Sequence, residues 1–335
     1  MKGLILRRLL FMVFVVWGVT LITFFLARVA PGDPARFIAG PHANATALKH
    51  VRELYGLDKP LVVQYWRYLG DLVHGDLGTS FVTHRHVVED MRDFFPATLE
   101  LALGALVLGS LLGLVIGVVA AMTRGSAIDF VGRLIAIAGL SMPAFWLAML
   151  FQLIFFVQLG WLPFGGRLDT GATPPPDITG LYTIDSLLTG NAGTFMEAIK
   201  HLVLPVTTLA FAEIGLMARI TRTSVLEVLG EDYVRTARAK GLRRGRILWR
   251  HSLRNALMPS VTVLGLELGL LAGGVFLVET IFAWPGIGRY AYDAIRATDY
   301  NATLGVTLAV AMVYVVVNLL VDLAYLYLDP RIKYA

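Results

Sequence analysis

Four acidic side chains stand where ionised groups are costly: Glu213, Glu267, Glu279 and Asp322 fall within or at the ends of long apolar runs. A carboxylate in such a place faces a cavity, a partner or a compensating cation. Glu213 and Glu267 lie deepest, and the chemistry they offer is recognition of a cationic group such as an ammonium. The competing reading is a protonated or hydrogen-bonded Glu in helix packing. Glu279 reads as structural pairing at a helix end, and Asp322 as a partner for a nearby Arg. Covalent chemistry has few places to sit. The chain has no Cys, which removes thiolates, disulfides and Cys-based metal sites. It also lacks HExxH, GxSxG and GxxxxGK[ST], so neither zinc hydrolysis, acyl transfer nor nucleotide hydrolysis is expected of it. His74, His84 and His86 lie close in sequence. No Asp or Glu flanks them at a spacing that sets ligands on one helical face, and no metal site is predicted.

The remaining chemistry is positive charge. Eight of the 29 Lys and Arg residues fall in the 36 residues from Ser224 to Pro259: Arg235, Arg238, Lys240, Arg243, Arg244, Arg246, Arg250 and Arg254. Ser224 with Glu227 three residues on has the form of a capping box, and Gly230 can end the helix it starts. Asp232 then offers an N-cap for YVRTARAK, and Gly241 is suited to a left-handed terminator. Arg246, Arg250 and Arg254 recur every four residues, on one helical face. The plainer reading of this island is a juxtamembrane basic loop that sets topology and touches lipid headgroups. The sharper one is a docking surface, because two capped helices are more structure than topology needs.

The elements around these groups are apolar. At 335 residues, 56% are hydrophobic and 16% charged, and the mean hydropathy is +0.68. That places the chain among all-α polytopic membrane proteins rather than soluble domains. Runs of about twenty apolar residues, enough to cross a core of roughly 30 Å, are predicted near residues 9–27, 98–122, 134–159, 200–220, 260–283 and 303–328. Pro143 is expected to kink the third and Pro205 to break the fourth. In the second, Gly104, Gly109, Gly113 and Gly117 form a stripe that lets another helix approach closely. Gly269, Gly273 and Gly274 in the fifth suggest close contact or a flexible gate, with Gly273 and Gly274 placed beside the two deep Glu residues on a passage. The polar stretches fall at residues 31–96 and 160–197, where Pro174, Pro175 and Pro176 favour extended backbone. Six spans put both termini on one side. Seventeen of the 29 basic residues fall in the short segments on that side, which marks it as the cytoplasmic one. The net charge of +5 is therefore read as topology, not as nucleic-acid binding.

Several further stretches carry a resemblance. TARAKGL at 236–242 and RHSLRNALMP at 250–259, with PGDP at 31–34, GDLGTS at 75–80, SMPAFW at 141–146, ETIFAWPGIG at 279–288 and NLLVDLAYLYLDPRI at 318–332, resemble the inner-membrane permease subunits of bacterial ABC importers. The likeness is to the dipeptide, oligopeptide and nickel group, and within it to the B-type permease of dipeptide systems. It covers nearly the whole chain.

The resemblance implies a type I importer permease fold: a first transmembrane helix in residues 1–30, a periplasmic region in 31–96, and a core in 97–330 holding five further helices and a cytoplasmic coupling loop at 222–259. It implies a second homologous permease, two ATP-binding subunits that hold ATP and Mg, a periplasmic substrate-binding protein, and no cofactor in this chain. The segment seated in the ATPase would comprise Glu231, Asp232, Tyr233, Arg235, Thr236, Ala237, Arg238, Ala239, Lys240, Gly241 and Leu242. The expected cargo is dipeptides or short peptides, with glutathione, haem or chelated nickel as alternatives in the same group. A proton-coupled secondary transporter that relays through the buried acids is the reading from another class. The sequence has no internal repeat to support it.

Overall fold

The computed structural model describes residues 2–29, 35, 43–54, 56–272 and 276–328, and every regular element in them is helical apart from one isolated bridge between Thr79 and His86. Helix α1 (Lys2–Val29) is followed by two short helices, α2 (Ala45–Leu54) and α3 (Leu61–Val73). Phe24 of α1 packs its ring on Tyr65 and Tyr68 of α3, with centroids 5.2 and 5.7 Å apart, so the first helix and the polar stretch after it form one packed corner.

The centre is a pair of long helices, α4 (Val87–Met122) and α8 (Ala192–Gly230). The glycine stripe explains their approach. A Cβ on Gly113 would lie 2.5 Å from the Met217 Cβ, and one on Gly117 would lie 2.7 Å from the Ala218 carbonyl oxygen. Only the absence of side chains permits such contact. Among the described residues α4, α8 and α13 (Tyr300–Leu328) are each long and apolar enough to cross a membrane. The pair α5 (Ala127–Ser141) and α6 (Ala144–Phe151), the latter running on π-wound through Gln152–Gln158, is long and apolar enough for a fourth crossing only when its two bent halves are taken as one span. Phe11, Phe14 and Ile22 on α1, Val107, Leu111 and Val115 on α4, and Phe130, Leu134 and Ile137 on α5 are exposed. A surface of that composition suits lipid, not water.

Several helix boundaries depart from the sequence reading. The second span begins ahead of Pro96, at Val87, so the polar stretch ends inside the first turns of α4. Pro143 does more than kink the third span. Met142 is extended (φ −86, ψ 122) and α5 and α6 meet at 104°, as expected when the residue before a Pro is driven out of the helical region. Pro205 does the reverse: it is buried inside an unbroken α8, where the Thr207 and Thr208 hydroxyls donate to the carbonyls of Val203 and Leu204. Helix packing on several sides outweighs one missing donor. The fourth span also starts at Ala192, preceded by a short helix, α7 (Tyr182–Leu188). The predicted capping box at Ser224 starts no helix, because Ser224 and Val225 are buried in the last turns of α8, and Val225 packs with Ala121, Leu248 and Ala256.

After α8 come α9 (Asp232–Ala239), a helical stretch over Arg244–Arg246, Ile247–Ser252 and Leu253–Ala256, and α10 (Met258–Ala272). The fifth span is described as α10 and α11 (Phe276–Ile281), and Gly273 and Gly274 lie outside the described residues. Gly269 of α10 meets the Tyr314 ring of α13, where a Cβ would come within 2.8 Å. A helix the sequence reading passed over, α12 (Ile287–Arg296), precedes α13. Six spans are thus not all delimited here, though the all-α arrangement is.

Candidate functional site

The island end of α8 is built around a small apolar anchor. Gly230 ends α8, Glu231 takes extended backbone (φ −66, ψ 150) as the N-cap of α9, and Asp232 sits in the first turn, where its charge complements the helix dipole. Asp232 is thus inside the helix and not its cap. Val234 and Ala237, three residues apart on one face, bury against Ile247 with Leu229 and Leu242 around them. The opposite face, Asp232, Tyr233, Arg235, Thr236, Arg238, Ala239 and Lys240, is exposed. Gly241 closes the helix at φ +75, where a β-carbon would meet nothing within 4 Å. Its requirement is therefore purely conformational.

Polar contacts fix α9 on its support. Arg238 donates to the Leu229 carbonyl at 3.1 Å, Asn255 to the Tyr233 hydroxyl at 3.2 Å, and Arg235 to Asp232 at 3.2 Å. Arg246, Arg250 and Arg254 are all exposed, yet π-winding over Ile247–Ser252 breaks the four-residue register expected of them. One turn up α8, Arg222 forks onto Asp129 at 2.7 and 3.0 Å. The Asp129 carboxylate also accepts from the Gly125 amide at 3.0 Å, which ties the α4–α5 turn to α8. Thr221 and Ser260, both buried, share a hydrogen bond of 3.0 Å, linking α8 to α10. α8, at whose foot α9 sits, is thereby joined by side-chain bonds to both α5 and α10.

Of the residues expected in the ATPase-seated segment, Ala237 is buried within this chain, together with Val234, which that set does not include. The alternation of apolar Val234, Ala237 and Leu242 at helical spacing was the signal available. Asp129 and Arg222 were also missed, because 93 residues separate them and nothing local marks the pair.

The intramembrane acids fall into different surroundings. Glu213 of α8 is 4% exposed, packs on Gly109 of α4, and neither carboxyl oxygen has a hydrogen-bond partner among the described residues. Glu267 of α10 is half-buried and its electrostatic neighbour. Glu279 is elsewhere, fully buried at the other end, accepting from the Thr98 hydroxyl and the Arg289 amide at 2.7 Å each, beside Gly286, the N-cap of α12. The Asp322 side chain lies outside the described residues.

That other end is a set of tied loops. Ser80 and the Phe81 amide donate to buried Asp299 at 2.6 and 2.7 Å, fastening GDLGTS to the start of α13. Tyr290 donates to Asp90 at 2.9 Å, and burial, with that bond second, raises its phenol well above the ordinary value. Buried Arg167 and Glu100 pair at 2.7 Å. Arg167 also stacks on Tyr182 at 3.5 Å, which draws the loop before α7 over α4.

Residues 113–334 match the family described as binding-protein-dependent transport system inner membrane component, and residues 1–102 match that of its N-terminal membrane component. The chain belongs to this family. It is 50% identical to the probable D,D-dipeptide transport system permease protein DdpB of Escherichia coli K12, over 96% of this chain and 94% of that one. It is 44% identical to the di/tripeptide permease DppB of Pseudomonas aeruginosa over 100% and 99% of the two chains. It is 39% identical to the glutathione permease GsiC of Salmonella paratyphi A over the full length of both. A chain from the inward facing methionine ABC transporter MetNI superposes with a TM-score of 0.50 at 20% identity, over 70% of this chain and 93% of that one, and so shares its fold. The permease is accordingly a non-catalytic membrane subunit of a binding-protein-dependent importer, and the ATPase and binding-protein components are its partners as a class.

Proposed function

We propose that this permease moves dipeptides or short peptides into the cytoplasm, driven by ATP and Mg on two partner ATPases, alongside a second homologous permease and beneath a periplasmic binding protein. Peptide cargo rests on the dipeptide permeases among its relatives. The 39% identity to a glutathione permease keeps that tripeptide-like cargo as the second reading. Both termini and the island face the cytoplasm, in line with the basic bias of the short segments on that side.

The observation that carries the mechanism is α9: a short helix held by Val234 and Ala237, its other face offered to a partner, at the foot of a 39-residue helix. Seated in a cleft of the ATPase, Glu231 to Leu242 acts as the coupling element, with Ala237 as an internal support. Closure of the ATPases pushes on α9, and the Arg222–Asp129 fork and the Thr221–Ser260 bond pass the displacement to α5 and α10. Glu213 and Glu267 line the passage. Glu213 meets no donor among the described residues, which suits a carboxylate facing a transient cationic group or the second permease. Glu279 serves architecture, as the acceptor that holds the turn into α12.

Gly241→Val tests the coupling role. At φ +75 a β-branched residue strains the backbone by about 1–2 kcal/mol, without meeting a neighbour. In proteoliposomes with the full complex, ATP hydrolysis is expected to continue while peptide uptake falls by at least about tenfold. Uptake at the wild-type ratio to hydrolysis would reduce the island to a topology signal.

A further inference from the structure

On α8, near its start, His201 is 4% exposed and far from the island. Its Nδ1 lies 2.9 Å from the Gly165 carbonyl oxygen and 3.2 Å from that of Gly166. Carbonyls only accept, so Nδ1 carries a proton and the second nitrogen is left to bind something else. That nitrogen, Nε2, lies 3.2 Å from Asp169 Oδ1. Glu197, one turn earlier on the same face of α8, accepts the Asp169 backbone amide at 2.8 Å. One ligand atom from each of Asp169, Glu197 and His201 falls within 4.8 Å of the others.

An imidazole fixed through Nδ1 to backbone carbonyls, with Nε2 turned toward carboxylates, is oriented as metal-binding imidazoles are. The 3.2 Å separation of Nε2 and Oδ1 matches the edge, roughly 3.3 Å, of a tetrahedron with bonds of about 2.0–2.1 Å. Glu197 and His201 at i and i+4 present both side chains in one direction. The structure assigns to Asp169, Glu197 and His201 a site for a divalent first-row cation, zinc foremost, with a fourth position open to water or a partner on the exposed Asp169 side. One imidazole and two carboxylates suit zinc better than calcium or magnesium, which take oxygen alone.

The site joins two separate elements. Asp169 belongs to the loop before α7, and the other two ligands to α8. The same loop is seated on the turn after α11, where the Gly166 amide donates to the Phe282 carbonyl at 2.8 Å. A bound cation therefore clips to α8 a loop that is also bonded to the turn after α11, and steadies that end of the bundle.

The test uses the full chain purified in detergent with a histidine-free affinity tag, stripped with a chelator and titrated with zinc chloride by calorimetry, with cobalt(II) absorption as a second readout. Wild type is expected to bind one zinc per chain and to give the intense visible bands of tetrahedral cobalt. Asp169→Asn, a change at an exposed side chain, and Glu197→Gln should each weaken binding by about tenfold or more and quench those bands. His74→Gln should change neither. Absence of stoichiometric zinc on the wild type, or binding that Asp169→Asn and Glu197→Gln leave intact, overturns the assignment and reduces the cluster to a His201–Asp169 ion pair.

Discussion

Asp185 illustrates how single residues organise the loops of this permease. It is buried in the short helix α7, where burial alone would raise its carboxyl. The Thr179 hydroxyl and the amides of Ile178, Thr179 and Gly180 donate to it, and together they hold it below the ordinary carboxylate value. A carboxyl depressed in the folded state stabilises the fold above the unfolded value, and that contribution is lost as the pH falls through the folded value. Protection of the Ile178, Thr179 and Gly180 amides against hydrogen exchange, relative to the intrinsic rate at each pH, is expected to hold from neutral pH down to the ordinary carboxylate range and to fall below it. Asp185→Asn should raise exchange at all three amides at neutral pH and flatten the acid dependence. An unchanged profile would mean that the loop is ordered by the neighbouring Arg167–Glu100 pair instead.

At the scale of elements, α9 is held by its inward face, so substitutions there separate anchoring from contact. Val234→Ala removes two buried methyl groups and should cost about 1.5 kcal/mol while leaving α9 in place. Val234→Asp puts an unpaired carboxylate into the Ile247–Leu242 cluster, a cost of several kcal/mol that the short helix cannot meet. Limited proteolysis within 231–242 is expected to accelerate sharply in Val234→Asp and little in Val234→Ala, with membrane insertion unaffected in both. Equal protection in both variants would show that α9 is held by Arg238 and Asn255 rather than by its apolar face. The same elements show what sequence could and could not reveal. Gly230 and Gly241 mark the ends of α8 and α9 correctly, because a left-handed or terminal glycine is a local backbone demand. The small-residue stripe of α4 was legible because its spacing is itself the packing instruction. The false capping box at Ser224 and the unbroken helix through Pro205 share another cause. Both positions are buried in a helix packed on several sides, and burial overrides local preference. The Arg222–Asp129 fork and the Ser80–Asp299 bonds had no local signal, since their members come from separate helices and loops; of the cluster at Asp169, Glu197 and His201 only the i, i+4 spacing of Glu197 and His201 was local, and Asp169 comes from another loop.

For the whole molecule, α8 is the shaft on which the other parts are mounted: α4 along its glycine stripe, α5 through close backbone contact at Gly215, the tied loops at one end and α9 at the other. A displacement applied at α9 reaches the far end only if that shaft stays packed, so the α4–α8 seam should limit stability and coupling together. Gly113 offers a test, since a side chain there meets Met217, the Ile214 carbonyl and the Ala218 amide, the latter two being backbone that cannot swing aside. Gly113→Leu must part the two helices, with an overpacking cost of about 1–3 kcal/mol or more, and Gly113→Ala should cost less in the same direction. The purified chain is expected to melt earlier in the order wild type, Gly113→Ala, Gly113→Leu, and Gly113→Leu should lower peptide uptake per ATP hydrolysed in the assembled importer. If melting were unchanged in both variants, the helices would not be in contact along this stripe. If melting fell while uptake per ATP held, the seam would be structural only and the stroke would have to travel from α9 through Thr221–Ser260 into α10.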